Sequence, residues 1–481
     1  MRVVAIVALL AVAALGALAY TSQIQHGEVV TGMRSVGAGG AVWGLYVVMD
    51  GCFLGGGIAL MAIACIARFT RDRSMEAAAR IAMPSAITCF LGAALCVLAD
   101  QGRPLAALMN LSLYARPQSP MFVTFTSVGA VCLFGSLLHC VLARRPDLAE
   151  YAKRPSAWQG LQRVLAAGYQ GTPAERSRRR KASLWMSLGM LAALSAPATA
   201  LAILFVGRIS RSVDVVVIEM SAFLVISFAG GLGILVIAAA LVRRFAGPGA
   251  GLSARGSARL GRWLLVAVSL SALLLVVAEV ASVGSDTVAV AAFGSALLGN
   301  YRGMFWTALT GLFLAAGLLW PASRRRRRRE RRTVLASLIV QVSMFLHHDW
   351  LLVAWQTHGL ALPYGPGRYS PTRIEWGVAA GIVAVCILLL LPAVRLIPFA
   401  PVALEAPSIP TKSRDLRRSV LTFAWLVSGL AVASIGLLGS ARVAADASGD
   451  PSITGSPVVF ILGLMLLATT GAVYELLPER K

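Results

Sequence analysis

Twelve apolar stretches, each close to the length of a membrane-crossing helix, run through the sequence of 481 residues. A helix needs about 20 mostly apolar residues to cross a bilayer. The stretches do not alternate in polarity, as membrane β-strands do. They are residues 3–20, 40–67, 80–99, 121–143, 184–207, 213–242, 262–283, 303–322, 333–354, 376–397, 418–439 and 457–477. The sequence therefore predicts an all-α fold, a polytopic transmembrane bundle of about 12 helices.

Composition excludes the other broad classes. Apolar residues make up 58% of the chain and charged residues only 14%, whereas about a quarter of an ordinary soluble domain is charged. Disordered chains have low hydrophobicity, and the mean hydropathy here is +0.76. A soluble domain and a disordered chain are both excluded.

The positive charges are sorted between alternate segments. The chain has 44 Lys and Arg against 21 Asp and Glu, and 35 of the 44 fall on one side of the predicted membrane. The positive-inside rule makes that side cytoplasmic and places both termini there. We therefore expect a multi-pass protein of the bacterial inner membrane. The run Arg324–Arg329 is interpreted as an anchor on anionic lipid, not as a nucleic-acid site.

Cysteines and histidines give no ligand set for a metal centre. None of the seven Cys forms a C-x-x-C pair, which iron–sulfur clusters and covalent haem commonly use. His139 and the pair His347–His348 lie toward opposite ends of their predicted helices, so they cannot ligate one haem together. We expect no intrinsic haem or iron–sulfur cluster, and redox partners would bring the metals.

Ionisable residues inside a membrane are candidates for function, because burying them is unfavourable. In the predicted orientation almost all of them lie in the outer half of the bundle, which predicts a polar site open to the outer face. They are Asp50, Asp100, Glu219, Glu279, His347, His348, Asp349 and Glu375. Consecutive helical residues point about 100° apart, so residues 347–349 cannot all face one site.

Some of these features have simpler structural explanations. Asp100 and Glu375 could be solvated helix ends, and Asp349 could cap a loop. The glycines after Asp50 could serve close helix packing or the approach of a flat ligand. Tryptophans near helix ends are interpreted mostly as anchors at the membrane interface. These tryptophans are Trp43, Trp320, Trp350 and Trp376.

Several short strings occur in a fixed order: Trp43-Gly-Leu-Tyr46 before Asp50, Asp100-Gln-Gly-Arg103-Pro, Ser119-Pro-Met-Phe122, Ile218-Glu-Met220, Met304-Phe-Trp306 and Tyr369-Ser-Pro-Thr-Arg-Ile-Glu375. With these strings, roughly residues 1–402 resemble the NrfD/polysulfide-reductase family of membrane subunits. The chain is especially similar to the branch with the membrane subunit of hydrogenase-2 and the quinone-reactive subunits of alternative complex III. It departs from relatives at Ala278, where many have Gly.

The resemblance implies two four-helix units, with peripheral helices, and a quinone site near the extracytoplasmic side. The quinone would be menaquinone or ubiquinone. It also implies a ferredoxin-like iron–sulfur subunit docked outside, in some complexes with a cytochrome c, molybdopterin or hydrogenase subunit, besides other membrane subunits and lipid. The chain would then divide into a quinone-interacting core, residues 1–402, and a C-terminal helix pair, residues 403–481.

The resemblance and the acids together assign roles. Quinone binding is expected at Trp43, Tyr46, Asp50, Asp100, Arg103 and His347. Proton exchange is expected at Asp50, Asp100, Glu219, Glu279 and His347 or His348. Arg103 and Glu375 are expected at the rim where a partner docks. The predicted function is that of a quinone-binding subunit of a respiratory oxidoreductase. A secondary transporter of the 12-helix type and a non-catalytic membrane anchor remain the alternatives.

Overall fold

A computed structural model describes most of the chain as helices, and no β-strand occurs among the residues that it describes. Those residues are 2–33, 41–70, 73–109, 128–153, 155, 158–206, 213–246, 252–283, 301–320, 326–357, 369–396, 416–445 and 457–477. The helices are α1 (Arg2–His26), α2 (Leu45–Phe69), α3 (Arg73–Asp100), α4 (Pro104–Met109), α5 (Ser136–Tyr151), α6 (Gln159–Ala166), α7 (Pro173–Val206), α8 (Val213–Ala246), α9 (Ala254–Val283), α10 (Arg302–Leu319), α11 (Arg326–Thr357), α12 (Arg373–Leu396), α13 (Leu416–Ala445), α14 (Pro457–Ala468) and α15 (Thr470–Leu476). A 3₁₀ turn, Glu28–Val30, follows α1, and a π-helical segment, Val128–Gly135, precedes α5.

The prediction of an all-α transmembrane bundle is confirmed. Ten of the described helices are long and apolar enough to cross a membrane, and α14 with α15, which meet at a bend of 52°, would count as an eleventh if the pair forms one broken span. The predicted stretch 121–143 lies partly outside the described residues, and its described part is the π-helical segment and the first half of α5. Helices satisfy every backbone hydrogen bond internally, which the hydrocarbon core of a membrane requires.

Several helices extend beyond the apolar stretches that predicted them. Helix α7 begins at Pro173 and α11 at Arg326, although the apolar stretches begin at 184 and 333. Arg, Lys and Glu favour helix, so these helices continue through charged sequence. The polar segment 144–183, between two of the predicted crossings, is also helical for much of its length, because α5, α6 and the start of α7 lie there.

The described chain divides into two compact units. The first unit comprises Met1–Leu60, Thr88–Asn110 and Leu201–Leu391. Inside it, α8, α9, α10 and α11 pack in sequence, and α11 returns to contact α8. These four helices form one packed group, and the predicted division into two four-helix units stays a prediction. Every residue predicted for the quinone site belongs to this first unit.

The second unit comprises Met61–Ile87, Leu111–Ala200 and Pro392–Lys481. In it α13 packs along α14. The contact is close because both helices present glycines: a Cβ on Gly436 would meet the backbone nitrogen of Phe460 at 2.3 Å, and one on Gly463 would meet that of Ala433 at 2.2 Å. The last two predicted crossings therefore contact each other directly. The proposed division of the chain after residue 402 stays a prediction.

Candidate functional site

Asp50 lies in the second turn of α2 and is buried. Two glycines beside it bring other helices close. A Cβ on Gly51 would stand 2.3 Å from the ring of Phe205, and one on Gly55 would stand 2.8 Å from Ser227 Oγ. These contacts support the packing role for the glycines after Asp50, because a larger side chain would push α7 or α8 away from α2.

His348 is fully buried, and both of its ring nitrogens contact side chains. Its Nδ1 lies 3.3 Å from Cys52 Sγ and its Nε2 lies 3.4 Å from Ser227 Oγ. The rings of Phe223 and Phe205 flank it at centroid distances of 4.5 and 5.5 Å. Its orientation is therefore fixed by α2, α7 and α8.

His347 is in a different position. It is buried too, with 4% of its surface exposed, but its Nδ1 has no hydrogen-bond partner among the described residues. The two rings are tilted and lie 5.8 Å apart. Of the two histidines, His347 is the one with a buried nitrogen available to a ligand.

These residues belong to one connected group, which we call the acid–histidine cluster: Asp50, Cys52, His347, His348 and Asp349. Cys52 lies within electrostatic range of both Asp50 and Asp349, and Asp50 lies within such range of Asp100. Asp349 is buried, with 6% of its surface exposed. Thus all three consecutive residues 347–349 are buried, and α11 is surrounded by protein at this level.

Glu279 and Glu219 are buried elsewhere in the first unit. Trp350 Nε1 donates a hydrogen bond of 3.2 Å to Glu279 Oε1, which joins α9 to α11. The interpretation of Trp350 as a membrane-interface anchor is wrong, since only 1% of its surface is exposed. Glu219 lies in the second turn of α8 and is 2% exposed.

Glu375 has no exposed surface, and its carboxylate accepts three hydrogen bonds from the chain. The donors are the Tyr369 hydroxyl at 2.7 Å, the Gly32 amide at 2.7 Å and the Thr372 amide at 2.8 Å. The Leu45 amide in turn donates to the Tyr369 oxygen at 2.7 Å. Burial, together with the charge of Glu375, raises the pKa of the Tyr369 hydroxyl. The alternative of a solvated helix end is wrong for Glu375, and its carboxylate does not face outward in this chain.

Tyr46 is buried in a second hydrogen-bonded group. Its hydroxyl donates to Gln23 Oε1 at 2.6 Å, and Gln23 Nε2 donates to Glu28 Oε1 and to the Ala99 carbonyl, both at 3.0 Å. Tyr46 is also within electrostatic range of Asp100. The Tyr46 hydroxyl is therefore already bonded inside the protein.

Trp43 and Arg103 are less enclosed. The Trp43 backbone forms two hydrogen bonds with the Gln356 side chain, at 2.9 and 3.2 Å, and Trp43 is half-buried. Arg103 is exposed, three residues after Asp100, whose residue surface is partly exposed. An exposed Arg103 is compatible with the predicted rim position.

The structure thus groups Asp50, His347 and His348 in one cluster with Asp100 near it, while Glu279 and Glu375 have separate partners. Sequence reasoning missed Cys52, Ser227, Gln23 and Tyr369. The sequence signal that could have indicated these four residues is a polar residue within or beside an apolar stretch. Among the described residues no group of three or more His, Cys, Asp or Glu is arranged to hold a metal ion.

Comparisons with known proteins give the family. The profile of the family described as "Polysulphide reductase, NrfD" matches residues 35–358. A Halobacterium salinarum protein, named provisionally as a membrane subunit of dimethyl sulfoxide reductase, is 27% identical over 426 residues, which are 83% of this chain and 92% of the relative. The matched range contains every residue of the acid–histidine cluster. The chain is a multi-pass membrane protein that belongs to the NrfD polysulphide reductase family.

Proposed function

We propose that this chain is the quinone-reactive membrane subunit of a respiratory oxidoreductase and that the acid–histidine cluster forms its reaction site. The observation that carries the proposal is a buried Asp50 grouped with two buried histidines, one of which has a ring nitrogen without a partner among the described residues. An ionisable group of this kind inside a membrane protein is a candidate for function.

Family membership supports the coarser part of the proposal, a membrane subunit of an oxidoreductase. The Halobacterium relative is itself named as a membrane subunit of a reductase. By analogy, we infer that this chain assembles with a redox subunit that holds metal centres. The proposed partner is a ferredoxin-like iron–sulfur subunit on the extracytoplasmic side, with a cytochrome c or a molybdopterin or hydrogenase subunit as a further candidate.

The chemistry of a quinol defines what the site must do. Oxidation of a quinol to a quinone releases two electrons and two protons, and reduction takes up the same number. The electrons go to or come from the redox partner, since the proposed site uses only side chains. The protons need bases within hydrogen-bonding distance of the quinol oxygens. We assign this role to Asp50 and to His347, whose free nitrogen can accept a hydrogen bond.

The other predicted residues take supporting roles. His348 is held by Cys52 and Ser227, so we assign it to proton exchange behind the quinone-binding groups. Asp100 lies within electrostatic range of Asp50 and would continue the proton route. Glu279 accepts a hydrogen bond from Trp350, which follows Asp349 in the sequence, so we assign Glu279 to proton exchange beside the quinone-binding groups.

The location of the site follows from the charge distribution. We propose that the chain lies in the cytoplasmic membrane with both termini in the cytoplasm, because the basic segments concentrate on that side. The acid–histidine cluster would then exchange protons with the extracytoplasmic side.

The Asp50→Asn variant tests the proposal in the assembled complex. We expect quinone-linked turnover to fall at least about 100-fold, the size typical for loss of a general base. Reduction of the partner's metal centres by an artificial donor should continue at the wild-type rate. Glu150→Gln is the control, because Glu150 pairs with Lys153 at an exposed position and should leave both rates unchanged.

Measurements on the variant complex, the wild-type complex and the purified chain distinguish the alternatives. Wild-type quinone turnover in the Asp50→Asn complex would remove Asp50 from the site. A wild-type complex that retains a metal-containing partner but neither binds nor turns over quinone would identify the chain as an anchor. Solute transport by the purified chain without any redox partner would favour the 12-helix transporter.

A further inference from the structure

Helix α6, in the second unit, has its polarity reversed relative to a helix on the surface of a water-soluble domain. Its side toward the rest of the protein contains Gln162 and Ala166, which are only 3% and 4% exposed. Its outer side contains Leu161 and Val164, together with Trp158 just before the helix, and these are 43%, 74% and 52% exposed. A surface helix in water normally turns its apolar stripe toward the core. The outer side of α6 therefore needs an apolar neighbour.

The exposed apolar residues of α6 form one continuous face. With about 100° between consecutive helical residues, Trp158, Leu161 and Val164 lie within an arc of about 120°, and we call this arc the apolar face of α6. Gly160 and Arg163 are exposed as well, but they lie about 100° and 160° from Leu161, on the side away from the protein contact. Arg163 is the one charged residue of α6. The helix thus has a side toward the protein, an apolar outer face and a polar outer side.

Side-chain hydrogen bonds hold α6 in this rotation. At its first turn, Gln159 Nε2 donates to the Ala152 carbonyl at 3.1 Å. At its other end, Arg145 of α5 donates from Nε to the Ala166 carbonyl at 3.2 Å and from Nη2 to the Ala167 carbonyl at 3.1 Å. The last carbonyls of a helix have no partner within it, so the arginine satisfies them. Because both ends are fixed in this way, α6 cannot turn its apolar face toward the protein.

The last turn of α6 lies where two of the predicted membrane crossings end. Arg145, which holds that turn, comes two residues after the apolar stretch 121–143. The same arginine forms an ion pair with Glu475, which lies near the end of the apolar stretch 457–477. The ends of both stretches mark the boundary of the hydrocarbon core on one side of the membrane. The last turn of α6 is therefore at that boundary, where lipid is the neighbouring medium.

We propose that α6 lies in the membrane interface and that its apolar face contacts lipid there. The positive-inside rule makes this the cytoplasmic interface. Amphipathic helices of this kind bury their apolar face about 5–10 Å into the boundary between headgroups and acyl chains, with Trp and Leu on that face and basic residues on the other. Arg163 supplies the charge that anionic headgroups attract. The proposal rests on the membrane-crossing fold and does not depend on the proposed quinone chemistry.

The other candidate for covering the apolar face is a further protein subunit. A standard protein–protein interface involves about 20–30 residues on each side, whereas the apolar face presents three apolar side chains. Lipid needs no such area, because an interfacial helix gains from each apolar group that leaves water. The position of α6 at the ends of two crossings also brings lipid to it in the chain alone. These observations favour the lipid surface.

Nitroxide spin labels on introduced cysteines test the proposal in the full-length chain, reconstituted in vesicles of phosphatidylglycerol and phosphatidylcholine. The test variants are Leu161→Cys and Val164→Cys. Gly160→Cys and Arg163→Cys are matched controls on the same helix, and a Cβ at position 160 meets no atom within 4 Å. The unmodified protein gives the background, because six of its seven cysteines are buried.

The measured quantity is the collision rate of each label with two reagents. Oxygen concentrates among acyl chains, whereas a water-soluble nickel chelate is excluded from them. We expect the ratio of oxygen to nickel collisions to be severalfold higher at positions 161 and 164 than at positions 160 and 163. All four positions are exposed in the chain itself, so a difference between them reports the surroundings of α6.

Two results would overturn the proposal. If the labels at positions 161 and 164 meet the nickel chelate as often as the controls do, the apolar face lies in water. The four labels are also measured in the assembled complex, where the same pattern is expected. If neither reagent reaches positions 161 and 164 there, a protein subunit covers the apolar face and lipid does not.

Discussion

His347 and His348 are neighbours in sequence but have opposite surroundings. Both ring nitrogens of His348 contact side chains, whereas His347 Nδ1 has no partner among the described residues. An unsatisfied buried polar atom costs about 1–3 kcal/mol. We infer that His347 is retained for a ligand and that His348 also contributes to stability.

Phenylalanine at each position separates these roles. His347→Phe should leave the Tm of the ligand-free protein equal or higher, because it removes an unpaired nitrogen, yet quinone turnover should be lost. His348→Phe should lower stability by about 1–3 kcal/mol, because the Ser227 hydroxyl loses its contact. Thermal unfolding and quinone turnover are measured on both variants. Equal destabilisation by the two changes would contradict the distinction.

Glu375 is a residue for which the alternative of a solvated helix end was wrong, while the predicted docking role stays a prediction. It follows a Pro-Thr pair at the start of an apolar stretch, which is typical of a solvated helix end. Contacts from Gly32 and Tyr369 bury it, and such long-range contacts leave no local pattern. By contrast, Asp50 could be predicted as a functional candidate. An acidic residue inside an apolar stretch is recognisable from the sequence without knowledge of the residues that surround it in the fold.

Glu375→Gln should therefore act on stability. The glutamine keeps one oxygen but directs its NH₂ group at a donor, so we expect a loss of about 2 kcal/mol, the size of a charge-assisted hydrogen bond. Thermal unfolding of the ligand-free protein measures it. Glu150→Gln breaks an exposed pair with Lys153 and should change stability by less than about 1 kcal/mol. A stable Glu375→Gln protein that fails to hold its redox partner would instead support the docking role.

At the level of helices, the apolar stretches predicted which elements exist but not where they end or how they meet. Charged sequence continues α7 and α11 beyond the membrane-crossing part, because helix propensity does not require apolar residues. The contacts between helices depend on where small residues coincide in space. Gly16 of α1 and Gly381 of α12 are an example, since a Cβ on Gly381 would stand 2.7 Å from the Gly16 Cα.

Gly381→Leu tests that crossing. The leucine cannot fit against the backbone of α1, so the helices must separate and the Tm should fall. Gly317→Leu on α10 is the matched control, because a Cβ there meets no atom within 4 Å. Leucine favours helix over glycine by up to about 1 kcal/mol, so this variant should be as stable as the wild type or slightly more so. Equal Tm values for both variants would show that α1 does not pack on α12.

At the level of the whole molecule, the distribution of Lys and Arg between alternate segments predicts the orientation of the chain in the membrane. The contacts between residues do not give this orientation by themselves. Most Lys and Arg residues lie in the segments that the positive-inside rule assigns to the cytoplasm. The acid–histidine cluster belongs to helix halves that the same rule assigns to the other side. The orientation therefore predicts that quinone binds from the extracytoplasmic face of the membrane.

Cysteine labelling in sealed vesicles tests this orientation. Lys153→Cys replaces a side chain that is 72% exposed, beside α5, and Leu105→Cys replaces a residue that is 75% exposed, on α4. The unmodified protein serves as the background control, because six of its seven cysteines are buried. A membrane-impermeant maleimide should label position 105 in right-side-out vesicles and position 153 in inside-out vesicles. The predicted topology separates the two positions by one membrane crossing, so labelling of both from one side would contradict the orientation. That result would also remove the reason to place quinone chemistry on the extracytoplasmic side.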